Sequence, residues 1–574
     1  MSGEKMSGEK NSAEKIHSVK KTTAVPSKKY IAAIGFSVGI IASAGGYYAW
    51  KNSTLFRVNQ KGAELIGNFF DQRLGELATH SGFLLAGKTE VKSADTHYEI
   101  KIPDIILNFG QRPLEHIGQP GEELKIGGLA INASPTRAGL VDFSAALPKT
   151  LPLQSSKGTI NAKLGIENQQ ITGVLDPEFG FITQFDGKLN GLKLWLLEGT
   201  AEKEFVTIEE ISSQLHAGAT QANATSEKNK DAYSLSVKNI KANDEKTGES
   251  FSLASIVVEG DGAGAVWTRN QQEIVRHYQE FLSKHAQPAT QGTVVQPASE
   301  EEKKQIKQEL KNYLLTSAVG GFSAHLSDLS FGNKGTIYPA IDQLKLSTRL
   351  QDMAAQQISA EFAFSVQSGA KEKMPKEAME AYAFASDFLP IGLNISVKAV
   401  NLPKEPLAEA ISSLMILNAE DEHENAITTP DTPSSAQREA TAIINKLPAA
   451  LSAAGTVVEI KNLDLDLGKT TLKTTGKLTV DQSTSLGVQG DIVLILSGYN
   501  FIESTLKTPA IAVLPGAKGV ATFFQAFVAL GKEYVDEKGS KSLGYQFSLD
   551  KEGKIKLNGT DISKGFNIQP VLKP

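Results

Sequence analysis

The sequence predicts an α+β protein, mainly antiparallel β-sheet with several amphipathic helices, behind one N-terminal transmembrane helix. Three observations carry that prediction. Val458–Leu467 alternates apolar and polar residues over ten positions, the period of a half-buried strand. Asn59–His80 instead repeats its apolar residues at helical spacing. Tyr30–Trp50, YIAAIGFSVGIIASAGGYYAW, is the only run of 21 residues without a charge among the 574.

The charge-free run matches the ~20 apolar residues a helix needs to cross a bilayer core. Lys20, Lys21, Lys28 and Lys29 precede it, and Tyr47, Tyr48 and Trp50 close it. Lysines mark a cytoplasmic flank and Tyr/Trp favour the headgroup level, so Lys51–Pro574 is expected beyond the membrane. Ala42-Ser43-Ala44 fits a signal-peptide cleavage pattern. The 29-residue segment before the run, and its continuation for six residues past Ala44, favour an uncleaved signal anchor. Gly35 and Gly39 form a GxxxG, a candidate packing point for a homodimer through the membrane helix. Residues 1–29, opening MSGEKMSGEKNSAEK, read as a disordered cytoplasmic tail.

Seven lysines and three glutamates give residues 1–29 a charge of +4, which leaves −9 for the rest of a chain whose total is −5. A −9 ectodomain lacks the basic face that nucleic-acid binding needs. The chain has no cysteine, which excludes disulfides, thiolate nucleophiles and cysteine metal sites. An exported eukaryotic domain of this size would usually carry disulfides, so the composition points to a bacterial inner membrane with the bulk of the chain periplasmic.

Beyond the span, the first β-rich unit is placed at 51–286. It opens with the helix Asn59–His80, whose Leu65, Ile66, Phe69, Phe70, Leu74 and Leu77 share a face. Strands follow at Tyr98–Ile102, Leu192–Leu194, Tyr233–Val237 and Phe251–Leu253, with hairpin turns predicted at Asp186-Gly187 and Asn190-Gly191. A helix is predicted at 270–285 and a Pro/Gln/Ser/Thr-rich linker at 287–300. The second unit, 301–574, has helices at 301–317, 376–387, 404–418, 499–507 and 518–535. Its strands are 341–350, 358–366, 458–467, 471–480 and 486–496, with a terminal hairpin turning at Lys551-Glu552-Gly553. The acidic, Pro/Ser/Thr-rich stretch 420–438 reads as a disordered loop.

Val458–Lys507 gives three alternating strands and then a short helix, and the closing segment YQFSLDKEGKIKLNGTDI adds a hairpin. This order resembles the alphaproteobacterial envelope proteins that carry the domain of unknown function 2125. Tyr98–Pro152 fits the same plan more loosely, and resembles the YdgA-like and, more distantly, the AsmA-like envelope proteins. The resemblance implies an N-terminal membrane segment followed by a β-rich ectodomain. It rests on strand order and turn placement, and supplies no catalytic residue.

Chemical motifs fail in their context. Gly82–Thr89 matches GxxxxGK[ST], yet a helix precedes it and a strand follows, the reverse of a phosphate loop. Gly35-Phe-Ser37-Val-Gly39 matches a nucleophile elbow inside the membrane span. Gly260-Asp-Gly262-Ala-Gly264 reads as a glycine-rich turn. The nine histidines show no metal spacing, and Asp464 and Asp466 read as the solvated side of a strand whose other face is Leu463, Leu465 and Leu467. No catalytic, cofactor or metal residue is therefore assigned. The leading expectation is a non-catalytic envelope protein that binds lipid or another hydrophobic ligand, or acts as a scaffold. Phe362, Phe364, Phe523 and Phe527 are its candidate lining residues, with ordinary core as their competing role. A structural subunit of a membrane complex is the second expectation and an envelope hydrolase the third.

Overall fold

The computed structural model describes residues within 58–563. Excluded from that range are 72–82, 110–121, 136–139, 156–160, 177–180, 199–200, 217–230, 263–297 apart from 274, 277, 278, 281 and 282, 317–319, 334–335, 352–354, 369–390, 425–434, 509–516, 536–540, and residues 65, 69, 86, 245 and 485. Gly35, Gly39 and the whole run 30–50 lie outside the described residues. Among the described residues no helix is long and apolar enough to cross a membrane.

Eight short strands come first: β1 (Phe83–Leu85), β2 (Glu90–Ser93), β3 (Tyr98–Ile102), β4 (Ile105–Phe109), β5 (Glu122–Ile126), β6 (Leu129–Pro135), β7 (Val141–Ala146) and β8 (Thr150–Ser155). Longer strands follow as an antiparallel meander: β9 (Asn161–Asp176), β10 (Phe181–Glu198), β11 (Ala201–His216), β12 (Asp231–Asp244), β13 (Glu249–Gly262), β14 (Gly321–Asn333), β15 (Thr336–Gln351), β16 (Gln357–Gln367), β17 (Gly392–Pro403), β18 (Val457–Asp466), β19 (Thr471–Val480) and β20 (Val488–Ser497). β21 (Lys532–Val535), β22 (Lys541–Leu549), β23 (Ile555–Leu557) and β24 (Thr560–Asp561) close it. The helices are α1 (Glu300–Thr316), α2 (Lys404–Glu424), α3 (Ser435–Ala453), α4 (Tyr499–Leu506) and α5 (Ala517–Leu530).

The sheet forks at β9. One edge of β9 pairs with β8 through residues 161–165 and with β7 through residues 172–175. From β7 the order continues to β6, β3 and β2; from β8 it continues to β5, β4 and β1. Residues 60–64, 66–68, 70 and 71 are helical. Their Ala63, Ile66 and Phe70 share a buried cluster with Tyr98, Ile100 and Ile131 of one arm and Ile105, Leu124 and Leu151 of the other. From β9 onward each strand pairs with the next as far as β20, which pairs with β22. β13 and β14 pair directly, so the sheet runs unbroken past the 287–300 segment.

Direct cross-strand partners lie on one face of a sheet. Following the register from β10, one row reads Leu189, Ile211, Val237, Ile256, Leu326, Leu344, Val366, Leu393, Leu465, Leu472, Leu496, Leu543. Twelve strands thus contribute one aliphatic side chain each, over about 50 Å at ~4.8 Å per strand. The opposite face is polar. There, Arg349, Glu361, Lys398, Glu459, Lys477 and Asp491 are successive partners of alternating charge. A one-residue slip would expose the aliphatic row and break this alternation together.

A second feature crosses the first half of the meander. Glu167, Gly191, Glu209, Asn239, Ala254, Asp328 and Asp342 stand in one line, and each is skipped by the pairing on either side of it. Every other member is left-handed: Gly191 at φ 61°, Asn239 at 51° and Asp328 at 51°. The line is a crease in which each strand carries one unpaired residue at the same level, so the register runs through it without a shift. It also resets the alternation, so Leu189 and Leu192, three residues apart, face the same side. Glu210, beside the crease on the polar face, is gripped by Lys188 at 2.6 Å and Lys238 at 2.8 Å. Those two ammonium groups hold its carboxyl down at about 2.

Several sequence expectations change. Asp186-Gly187 and Asn190-Gly191 are not hairpins; both lie inside β10. The positive φ of Gly191 serves the crease, and a side chain on Gly187 would meet the Phe185 ring at 2.8 Å. Gly260 is likewise within a strand, where the Tyr233 ring fills its missing side chain. The 420–438 stretch is not all loop, since α2 runs to Glu424 and α3 begins at Ser435. α5 ends at Leu530 and the chain turns into β21, where a helix to 535 was expected. The expected helix 376–387 lies outside the described residues.

Gly191→Val places a β-branched side chain at positive φ and against the Glu167 carboxylate. It is expected to cost about 2 kcal/mol or more in urea unfolding. Glu210→Gln tests the grip beside the crease. A carboxyl with a depressed folded pKa stabilises above its unfolded pKa of about 4.5, and that gain fades as pH falls towards 2. Thermal melts of the variant should therefore fall below the parent at pH 7 and converge with it near pH 2.

Candidate functional site

The apolar face is covered at its two ends. At the start, Leu189, Leu192, Leu194, Val206, Ile208, Val237, Ile240 and Leu253 belong to the buried cluster under the two arms. At the end, Leu496, Leu543, Tyr545 and Leu557 are buried, with Ile502 of α4 and Phe524, Phe527 and Val528 of α5 packed against them. A third cluster is helical. Ile274, Phe281, Ile306, Leu310 and Ile416 join α1, α2 and the helical residues of 274–282.

Between these covers the apolar face changes character. Leu344 and Leu346 on β15, Phe364 and Val366 on β16, Leu393, Ile395 and Val397 on β17, and Ile460, Leu463 and Leu465 on β18 are half-buried and belong to none of the buried clusters. Phe362 is 41% exposed. Register makes these one surface: Leu346, Phe364, Ile395 and Leu463 are successive partners, as are Phe362, Val397 and Ile460. Four strands and three to four side-chain layers give a footprint of about 300 Å². The surface has no ionisable group on its own face, so it can hold apolar matter by area and shape without directed bonds.

The four candidate phenylalanines separate into two places. Phe362 and Phe364 stand two residues apart on β16 and share the open field. Phe527 stacks on Tyr545 at 4.2 Å in the C-terminal cluster, while Phe523 of the same helix is 73% exposed. β16 and β22 are five strand spacings apart, about 24 Å, so the two pairs do not line one pocket. The aliphatic members from β15, β17 and β18 were missed as a site. Their alternation is visible in sequence, but only register shows that they are neighbours.

The polar face carries a cavity of about 1280 Å³ against the strand ends of β6, β7 and β9–β16. Asp142, Asp186, Glu259, Asp261, Arg349 and Glu361 line it with many hydroxyl and amide groups. Asp261 accepts from Arg349 at 3.1 Å and from the Gly321 amide at 2.8 Å, and Glu361 is bound by Lys461. Asp261 and Glu361 are thus engaged in holding strands. Among the described residues no group of three His, Asp or Glu could hold a metal ion. Asp464 lies across from Lys473 on the polar face, as its alternation with Leu463 and Leu465 requires. The GxxxxGK[ST] stretch contains β1 and leads into β2, without a following helix. No protein-family model matches the chain, nor does any curated protein or any solved structure.

Truncation separates covered from open face. Leu192→Ala, in the buried cluster, is expected to cost about 2–5 kcal/mol in urea unfolding. Phe362→Ala is expected to cost under about 1.5 kcal/mol, because the residue is already 41% exposed.

Proposed function

We propose that this chain binds lipid or a similar acyl-chain ligand on the open middle of its apolar sheet face, and that it performs no catalysis. The observation that carries the proposal is the burial profile along the twelve-residue aliphatic row: buried or packed against the first cluster from Leu189 through Leu326, half-buried outside every buried cluster from Leu344 through Leu465, and covered again from Leu472 through Leu543. Leaving such a field to water costs roughly 25 cal/mol per Å² of apolar area, and a sheet that only needed a core would cover it. The chain has the means to cover it, since α4 and α5 do so two strands further on. An acyl chain matches the field because its attraction is non-directional and proportional to area.

The reading includes the N-terminal run 30–50 as a single-pass anchor, with the N-terminus cytoplasmic and the sheet in a bacterial periplasm. It takes the strand order of 458–507 as membership of the envelope proteins with the domain of unknown function 2125. The charge step from +4 to −9 and the absence of cysteine support that placement.

The test is mass spectrometry of the full chain, purified in a mild detergent and extracted for lipid. The wild type should carry lipid at near-stoichiometric amounts. Phe364→Glu and Val397→Glu should lose it several-fold while keeping the β-sheet circular dichroism of the parent. A wild type without lipid, crosslinked instead to a membrane protein, would favour the structural-subunit reading.

A further inference from the structure

Eleven large apolar side chains are exposed among the described residues, and five fall within sixteen positions: Val520, Phe523, Leu530, Tyr534 and Val535. They lie on α5 and on β21, which directly follows it. α5 has an apolar stripe wider than its seat. Phe524, Phe527 and Val528 pack inward, while Phe523 and Leu530 lie exposed along the adjoining side and Val520 extends the inward stripe past its seat at the start of the helix, also exposed. Lys518 and Lys532 bracket these exposed side chains. Both are exposed, and neither has an acidic partner among the described residues, whereas the nearby Lys507 and Lys541 are paired with Glu503 and Glu533. A helix with exposed, bulky apolar side chains and flanking lysines suits the boundary between headgroups and acyl chains.

We infer that the exposed apolar surface of α5 is a membrane-docking surface that inserts Val520, Phe523 and Leu530 into an anionic bilayer, with Lys518 and Lys532 at the headgroups. The two lysines without acidic partners among the described residues, set beside exposed apolar side chains, favour an anionic bilayer as the occupant, and this step rests on the lipid-binding reading above. Phe523 stacks on Phe527 at 6.4 Å, and Phe527 stacks on Tyr545 at 4.2 Å. Tyr545 continues the sheet row through Leu494, Thr474 and Leu463 to Ile395 and Phe364. Tyr545 is fully buried and Thr474 nearly so, so this row is covered core that joins the docking surface to the open field only through packed side chains.

The absence of cysteine makes the test direct. Phe523→Cys or, as a second site, Val520→Cys is labelled with an environment-sensitive fluorophore in the full chain. The labelled chain is held in phosphatidylcholine nanodiscs, so that its N-terminal segment is already occupied. Vesicles of phosphatidylcholine with 30% phosphatidylglycerol are then added. Emission should rise several-fold and shift to the blue at both sites. Lys518→Glu with Lys532→Glu should weaken vesicle binding at least about thirtyfold, and a label at Ser347→Cys on the polar face should not respond. The inference is overturned if neither α5 label responds to these vesicles. It is also overturned if the response depends on protein concentration without vesicles, which marks a second copy as the occupant. Lipid content is measured on the same samples. Lipid retained without docking refutes this inference alone, while lipid absent refutes the binding reading itself.

Discussion

Register in an antiparallel sheet decides which face every side chain of a strand occupies, because a slip of one residue sends them all to the other side. In this chain twelve strands keep a single aliphatic row in step. On the reverse face, charges alternate in sign from Arg349 to Asp491. Each such cross-strand pair contributes only a few tenths to about 1 kcal/mol. Their value lies in agreement, since the register that buries the aliphatic row also pairs the charges. The crease is compatible with this because all seven strands skip one residue at the same level. Their mutual register is therefore intact.

A sheet with one apolar face must cover that face or use it. Here the N-terminal arms cover one end and α4 with α5 the other, leaving β15–β18 half-exposed. The α1–α2 helices have their own small core and make no part of either cover. On the polar face Asp261 is tied to Arg349 and Glu361 to Lys461. The two faces thus offer area and shape on one side and strand-locking ion pairs on the other.

Much of the fold was legible in the residues. Thr471–Val480 is a strand with the predicted bounds, and the hairpin at Lys551-Glu552-Gly553 turns where the glycine permits it, at φ 75°. Strand alternation works because burial on one face imposes a period of two. It fails at Asn190-Gly191, where the same local signal that makes a hairpin instead makes a crease. Only partner strands decide between the two. Helix α3 was missed: its first turn, Ser435–Arg438, lies in the stretch 420–438 read as a disordered loop, and no element was assigned to the rest of it. Of the open apolar field, Phe362 and Phe364 were visible as a pair on one strand. Leu346, Ile395 and Leu463 became their neighbours only through non-local pairing, which no short window contains.

The most direct test of the central claim compares the two faces of one strand. A photoreactive benzoyl-phenylalanine placed at Phe364 points from the open apolar field, and one at Ala363 points from the polar face of the same strand. After irradiation in cells fed radiolabelled phosphate, the adduct at 364 should carry label that phospholipase removes, and the adduct at 363 should not. Equal labelling of both positions, or adducts at 364 that are protein alone, would contradict the account.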